Sequence, residues 1–147
     1  VRKGVAQREW KSLVEKIRNG PPRISPMRLA FLDRLTNTVE FFVHLEDVRR
    51  AQPNWDPRTL IDDLESQLRT SITQGGRLFA RKSPCGLILQ ITQGSTIVAK
   101  KGEPAVTVTG EVGELIMFVY GRQNQARVEL SGPDELVQAV RSTAFGV

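Results

Sequence analysis

Leu87-Ile88-Leu89-Gln90-Ile91-Thr92-Gln93-Gly94-Ser95-Thr96-Ile97-Val98-Ala99 marks the point where the hydrophobic period of the chain changes. Leu87, Leu89 and Ile91 alternate with Ile88 and Gln90, Gln93-Gly94 supplies a turn, and Ile97-Val98-Ala99 returns, which is the pattern of a hairpin. Gly102-Glu103-Pro104 separates a third strand over Ala105 to Thr109, whose valines and threonines suit a pleated surface, and Gly110 ends it. Leu115, Phe118 and Val119 then predict a helix closed by Gly121. Arg127 to Leu130 reads as a fourth strand. Pro133 to Arg141 reads as a last helix with Leu136, Val137 and Val140 inward.

Before Pro84 the period is helical. Trp10, Leu13, Val14 and Ile17 predict a helix over residues 5–18, stopped by Gly20-Pro21-Pro22. A second helix is expected from Pro26 to Arg50, with proline in its first turn. Asp56-Pro57 is expected to start a third, as a carboxylate cap followed by proline at the first helical position. This helix continues through Leu60, Ile61, Leu64, Leu68 and Ile72 toward Arg81 despite Gly75-Gly76. Three helices followed by β-β-β-α-β-α define an α+β fold, with a helical bundle portion over 1–82 and a small α/β domain over 83–147.

The chain has 147 residues, 39% of them hydrophobic, enough for a modest core. Lys and Arg number 21 against 16 Asp and Glu, a formal charge of +5. The basic pairs Arg49-Arg50, Arg81-Lys82 and Lys100-Lys101 are scattered, with few aromatics between them and no nucleic-acid motif around them. They read as solvated surface, and no nucleic-acid partner is expected. The lone Cys85 excludes an internal disulfide, fits a reducing compartment and reads as a buried bystander. Val1-Arg2-Lys3-Gly4 leads into no apolar signal core, and the longest apolar run, Leu115 to Tyr120, is too short to span a bilayer. A cytoplasmic setting without membrane association is expected.

The second helix carries the candidate chemistry. His44, the only histidine, lies one turn after Glu40, so a carboxylate oxygen and an imidazole nitrogen share one helix face and can converge on one cation. Asp33, Asn37, Glu40, His44 and Asp47 fall within an arc of roughly 80°, opposite Leu32, Leu35, Val39, Phe42 and Val43. Phe41 and Val48 flank this stripe on one edge and Leu29 on the other, and the triplet Phe41-Phe42-Val43 implies burial on more than one side. The stripe is therefore expected to lie against protein. On the metal reading Glu40 and His44 are ligands, with Asn37 and Asp47 orienting them. The competing reading is a satisfied structural pair. Two ligands fall short of the three that a catalytic site uses, so an Asp or Glu of another helix, or a group outside this chain, would complete the set. Arg122, just past the glycine stop, is placed either to contact an anionic ligand or to compensate the helix end. Gly110-Glu111-Val112-Gly113-Glu114 lacks a phosphate-loop pattern and reads as a glycine turn. Ser131-Gly132-Pro133-Asp134-Glu135 reads as a capped helix start.

Gly20-Pro21-Pro22, the run Asn37 to Arg50 (NTVEFFVHLEDVRR), residues 102–110 (GEPAVTVTG), and Gly113-Glu114-Leu115 through Gly121-Arg122-Gln123 together resemble one family. It is the actinobacterial metal-binding family related to the mycothiol-dependent maleylpyruvate isomerases and to DinB-like bundles, and the resemblance covers nearly the whole chain. It implies a DinB-like four-helix bundle followed by a small α/β domain akin to sterol-carrier folds. It also implies a divalent cation, with Zn²⁺ the first candidate, held by an early histidine and by the Glu-x-x-x-His pair that matches Glu40 and His44. The early histidine normally sits in a segment like Asp-x-x-x-His-Leu, and nothing here matches it. Many members have His-His-Glu-Asp where this chain has His44-Leu45-Glu46-Asp47, which leaves the ligand position intact. The expectation is a chain lacking the first one or two helices, with an incomplete metal site and an exposed apolar face that favours a homodimer. Mycothiol as cofactor, and a metal- and thiol-dependent isomerase or transferase activity in the intact form, are implied by the resemblance alone. The alternative is a non-enzymatic module that binds a small molecule or dimerises.

Overall fold

In the computed structural model, residues 30–146 are described, with side chains from residue 36 onward. The helix expected over 5–18, its Gly20-Pro21-Pro22 stop, the Pro26 start, Leu29, and the side chains of Leu32, Asp33 and Leu35 lie outside the described residues. Leu35–Val147 makes one compact unit. Helix α1 runs over Ala30–Arg50 and α2 over Asp62–Phe79, continued by a 3-10 turn at Ala80–Lys82. Strands β1 (Gly86–Ile91), β2 (Thr96–Lys100) and β3 (Ala105–Gly110) follow, then α3 (Val112–Val119), β4 (Glu129–Ser131) and α4 (Asp134–Ser142). Among the described residues the fold is therefore α+β, with four helices and a four-stranded mixed sheet.

The sheet order is β2-β1-β3-β4. β1 and β2 form the expected antiparallel hairpin, β3 runs parallel to β1 on its other side, and β4 pairs antiparallel with β3. The parallel register sets Leu87 beside Val106 and Leu89 beside Val108. With Ile91 these form a fully buried face, while Ile88, Gln90, Thr107 and Thr109 are half-buried. To place β3 beyond β1, the chain after β2 must cross the start of β1. A Cβ on Gly86 would stand 2.0 Å from the carbonyl oxygen of Gly102, so only glycine admits that crossing.

One core joins helices to sheet. Val39, Phe42 and Val43 of α1, Leu68 and Ile72 of α2, the buried strand face, and Val140 of α4 belong to a single cluster around α3. All eight residues of α3 are buried, seven of them apolar or glycine and the eighth Glu114. α2 packs on β2 and α3, where Gly76 lets the helix approach the Ile97 and Ala99 side chains of β2.

One helix start differs from expectation. Asp56-Pro57 does not begin α2; the helix begins at Asp62, after Ile61 in extended conformation. Residues 56–58 are instead tied back to α1, with the Asp56 carbonyl accepting from Arg49 and Arg58 donating to Glu46. Those bonds compete with a helical turn at the proline, and the acidic first turn of Asp62, Asp63 and Glu65 supplies the alternative start.

Candidate functional site

Two polar clusters lie on different sides of α1. The first is an open pocket of about 470 Å³ lined by Glu40 and His44 of α1, Lys82 of the 3-10 turn, Tyr120 and Arg122 after α3, and the tail at Phe145 and Gly146. α3 ends where Gly121, at φ +83°, reverses the chain. The N–H groups of Tyr120, Gly121 and Arg122 then cap the carbonyls of Ile116, Phe118 and Met117. This reversal brings Arg122 to α1, where its Nε and Nη2 grip both Asp47 oxygens at 3.1 and 2.7 Å, and its Nη1 donates to the Tyr120 carbonyl at 2.6 Å. The hydrogen bonds to Asp47 outweigh the effect of burial and raise the Arg122 pKa above its ordinary value. Lys82 Nζ donates to the Gly146 carbonyl at 3.0 Å and Gln123 donates to that of Thr143, which holds the tail as a wall.

Glu40 and His44 open onto this pocket together, and neither side chain has a hydrogen-bond partner among the described residues. Asp47 Oδ2 lies 3.9 Å from His44 Nδ1. The stripe is not sealed against protein: the His44 side chain is 73% exposed, and Phe41 and Val48, expected to cover its edge, are 74% and 65% exposed. Only Phe42 and Val43 of the apolar triplet enter the core. Asn37 is not brought to Glu40 and His44. It lines a separate groove of about 550 Å³ between α1 and α2 with Phe41, Leu45 and Ile61. Asp47 does lie beside His44, yet its oxygens are committed to Arg122.

As a metal centre the pair fits two positions of a coordination sphere, one oxygen and one nitrogen donor, both unengaged among the described residues. Among the described residues no group of three or more His, Cys, Asp and Glu side chains converges. That falls one ligand short of a catalytic zinc site.

The second cluster escaped the sequence reading. Arg50, expected at the surface, is 7% exposed, Glu46 is 1% exposed, and Glu114 of α3, set in what reads as a plain glycine turn, is 7% exposed. Arg50 donates from Nε to Glu46 at 3.0 Å and from Nη1 and Nη2 to both Glu114 oxygens at 2.9 and 2.6 Å. Its Nη1 also donates to the Gln125 carbonyl at 2.7 Å. Glu46 accepts further from Arg49 at 2.7 Å and Arg58 at 3.0 Å, and Glu114 from the Arg127 backbone N–H at 2.7 Å. Burial pushes the Glu46 carboxyl up, but Arg50 and Arg49 outweigh it and hold it below the ordinary carboxylate range. Burial likewise opposes the Arg50 charge, and Glu114 and Glu46 raise its pKa nonetheless. Arg50 and Arg127 stand over the Trp55 ring at 4.5 and 4.6 Å. The i, i+4 spacing of Glu46 and Arg50 was the available signal, but on its own it also describes an exposed pair.

Tyr120 and Lys82 were also missed. Tyr120 is buried against Phe79, with ring centroids 4.9 Å apart, and burial, with Glu40 nearby, pushes its pKa up to about 12. Its signal was slight: the one polar tip at the end of an apolar run. Among the described residues no helix is long and apolar enough to cross a membrane. Comparison with family models, curated proteins and solved structures gives no match.

Proposed function

We propose that this chain contributes a carboxylate oxygen from Glu40 and an imidazole nitrogen from His44 to a divalent cation, with Zn²⁺ the first candidate, at the floor of a small-molecule pocket. The observation that carries the reading is that these two side chains, one turn apart, open onto the same pocket with no hydrogen-bonded partner among the described residues. The remaining donors come from outside residues 36–146. A cation bound there would lower the pKa of a bound thiol or water. Arg122, braced by Asp47, presents its remaining N–H groups to an anionic part of a ligand, and the Thr143–Gly146 tail narrows access for water. The sequence resemblance supports a metal- and thiol-dependent isomerase or transferase of the mycothiol-using type, built on a DinB-like bundle and a sterol-carrier-like domain, and the lone Cys85 fits a cytoplasmic setting. The exposed Phe41, Leu45 and Val48 of α1 supply apolar area for a homodimer through this helix.

The test is calorimetric titration of chelator-stripped protein with Zn²⁺. Weak binding is expected, reduced about tenfold or more in Glu40→Ala and in His44→Ala. Tight binding that survives either substitution, or no binding at all, overturns the ligand assignment. Light scattering that stays monomeric at high concentration overturns the dimer.

A further inference from the structure

The chain has a single tyrosine, and the fold holds it firmly in the wall of the pocket. Tyr120 is 8% exposed, its ring packs on Phe79, and its backbone is fixed at both ends: its N–H donates to the Ile116 carbonyl and its own carbonyl accepts from Arg122. A buried tyrosine hydroxyl ordinarily finds an acceptor. This one has none among the described residues. Tyr120 borders the pocket that it shares with Glu40.

The other groups there favour one kind of ligand. Lys82 uses one of its three N–H donors on Gly146, and Arg122 uses three of its five on Asp47 and Tyr120. With the phenol, the walls offer several free donors against two free side-chain acceptors among the described residues, the Glu40 carboxylate and a His44 ring nitrogen. Such a pocket suits a ligand group that only accepts. The positive charges of Lys82 and Arg122 are matched by Glu40 and Asp47, so a singly charged group meets less repulsion from Glu40 than a phosphate dianion does.

We propose that Tyr120 reads a small carboxylate in this pocket, donating its O–H to one carboxylate oxygen while Lys82 and Arg122 take the remaining lone pairs. The proposal rests on the pocket being a ligand site and is independent of the metal. Because Tyr120 is the only tyrosine, the carbon-13 resonance of its Cζ reports on this phenol alone.

The experiment titrates the full chain, kept metal-free by chelator, with benzoate and separately with inorganic phosphate, following that resonance and the affinity. A saturable shift with benzoate is expected, with Tyr120→Phe, which keeps the packed ring, weakening benzoate binding about tenfold or more. Absence of benzoate binding, a change of less than about twofold in Tyr120→Phe, or phosphate binding more tightly than benzoate overturns the proposal. If Tyr120→Phe fails to fold, the resonance of the unaltered chain decides: no shift on saturation with benzoate overturns it equally. Failure of the metal assignment would leave this result untouched, because it shows only in the Zn²⁺ titrations of Glu40→Ala and His44→Ala.

Discussion

Arg50→Met would remove the cation that holds two buried carboxylates. Afterwards Glu46 keeps Arg49 and Arg58, whereas Glu114 keeps only the backbone N–H of Arg127. A carboxylate 7% exposed, with one hydrogen bond and no cation, is the situation in which breaking a buried pair costs about 3–5 kcal/mol. At about 2–4 °C per kcal/mol for a chain of this size, the melting temperature should fall by about 6–20 °C. Urea unfolding followed by circular dichroism measures the free energy, and a thermal melt the shift. Arg50→Met/Glu114→Leu removes the stranded charge as well, and it should recover more than half of the loss. If the single substitution costs less than about 1 kcal/mol, the range of an exposed pair, and the double variant is no better, the network does not join α1 to α3 as described.

Acid should act on the same cluster. The folded-state pKa of Glu46 lies below its ordinary value of 4.5, so its contribution is complete above that value and is lost as the pH falls through the folded pKa; urea midpoints measured down the acid range should drop below about pH 4.5, and a flat profile would count against the pairing. At the alkaline end the sole tyrosine should ionise near 12 and not near 10.0, readable as phenolate absorbance. Stability should decline as pH rises from 10.0 through the folded pKa, because the unfolded chain releases that proton first. Gly121→Ala would place a side chain at φ +83° with its Cβ 2.6 Å from the Phe145 carbonyl oxygen, and should cost about 1–3 kcal/mol in the same urea assay while loosening the tail that walls the pocket.

Period and punctuation made most of the architecture legible. The hairpin, the third strand and the helix closed by Gly121 follow from alternation, turn residues and a glycine stop, all of which act within a few residues of themselves. Asp56-Pro57 misled because local capping chemistry was outcompeted by bonds from Arg49 and Arg58 to partners reached only in the folded chain. Burial of Glu46, Arg50 and Glu114 was hidden for a related reason. An i, i+4 Glu-Arg pair looks the same at a surface and in an interior; what buries it here is its packing against α3, distant in sequence, and against Trp55 in the loop that follows α1. Glu40 and His44 were placed on one face by spacing alone. Whether that face was covered depended on neighbours that spacing does not describe, and Phe41 turned toward the α1/α2 groove.

The two polar clusters divide the labour of α1. Glu46 follows His44 by two residues, about 200° around the helix, so one face faces the pocket while the other locks into α3. Stability resides on the locked face, where charges are dry and paired. The open face carries groups with free lone pairs in contact with solvent, which suits them to bind rather than to brace. Substitutions on the two faces should therefore separate cleanly. Glu40→Ala and His44→Ala should leave unfolding free energy within about 0.5 kcal/mol of the unaltered chain, as exposed positions with no partner among the described residues do, while Arg50→Met lowers it severalfold more. That contrast makes the Zn²⁺ titrations interpretable, since lost binding in a fully folded variant is a statement about ligands and not about folding. Were Glu40→Ala or His44→Ala to unfold the chain instead, the open face would be structural, and the metal reading would lose its support.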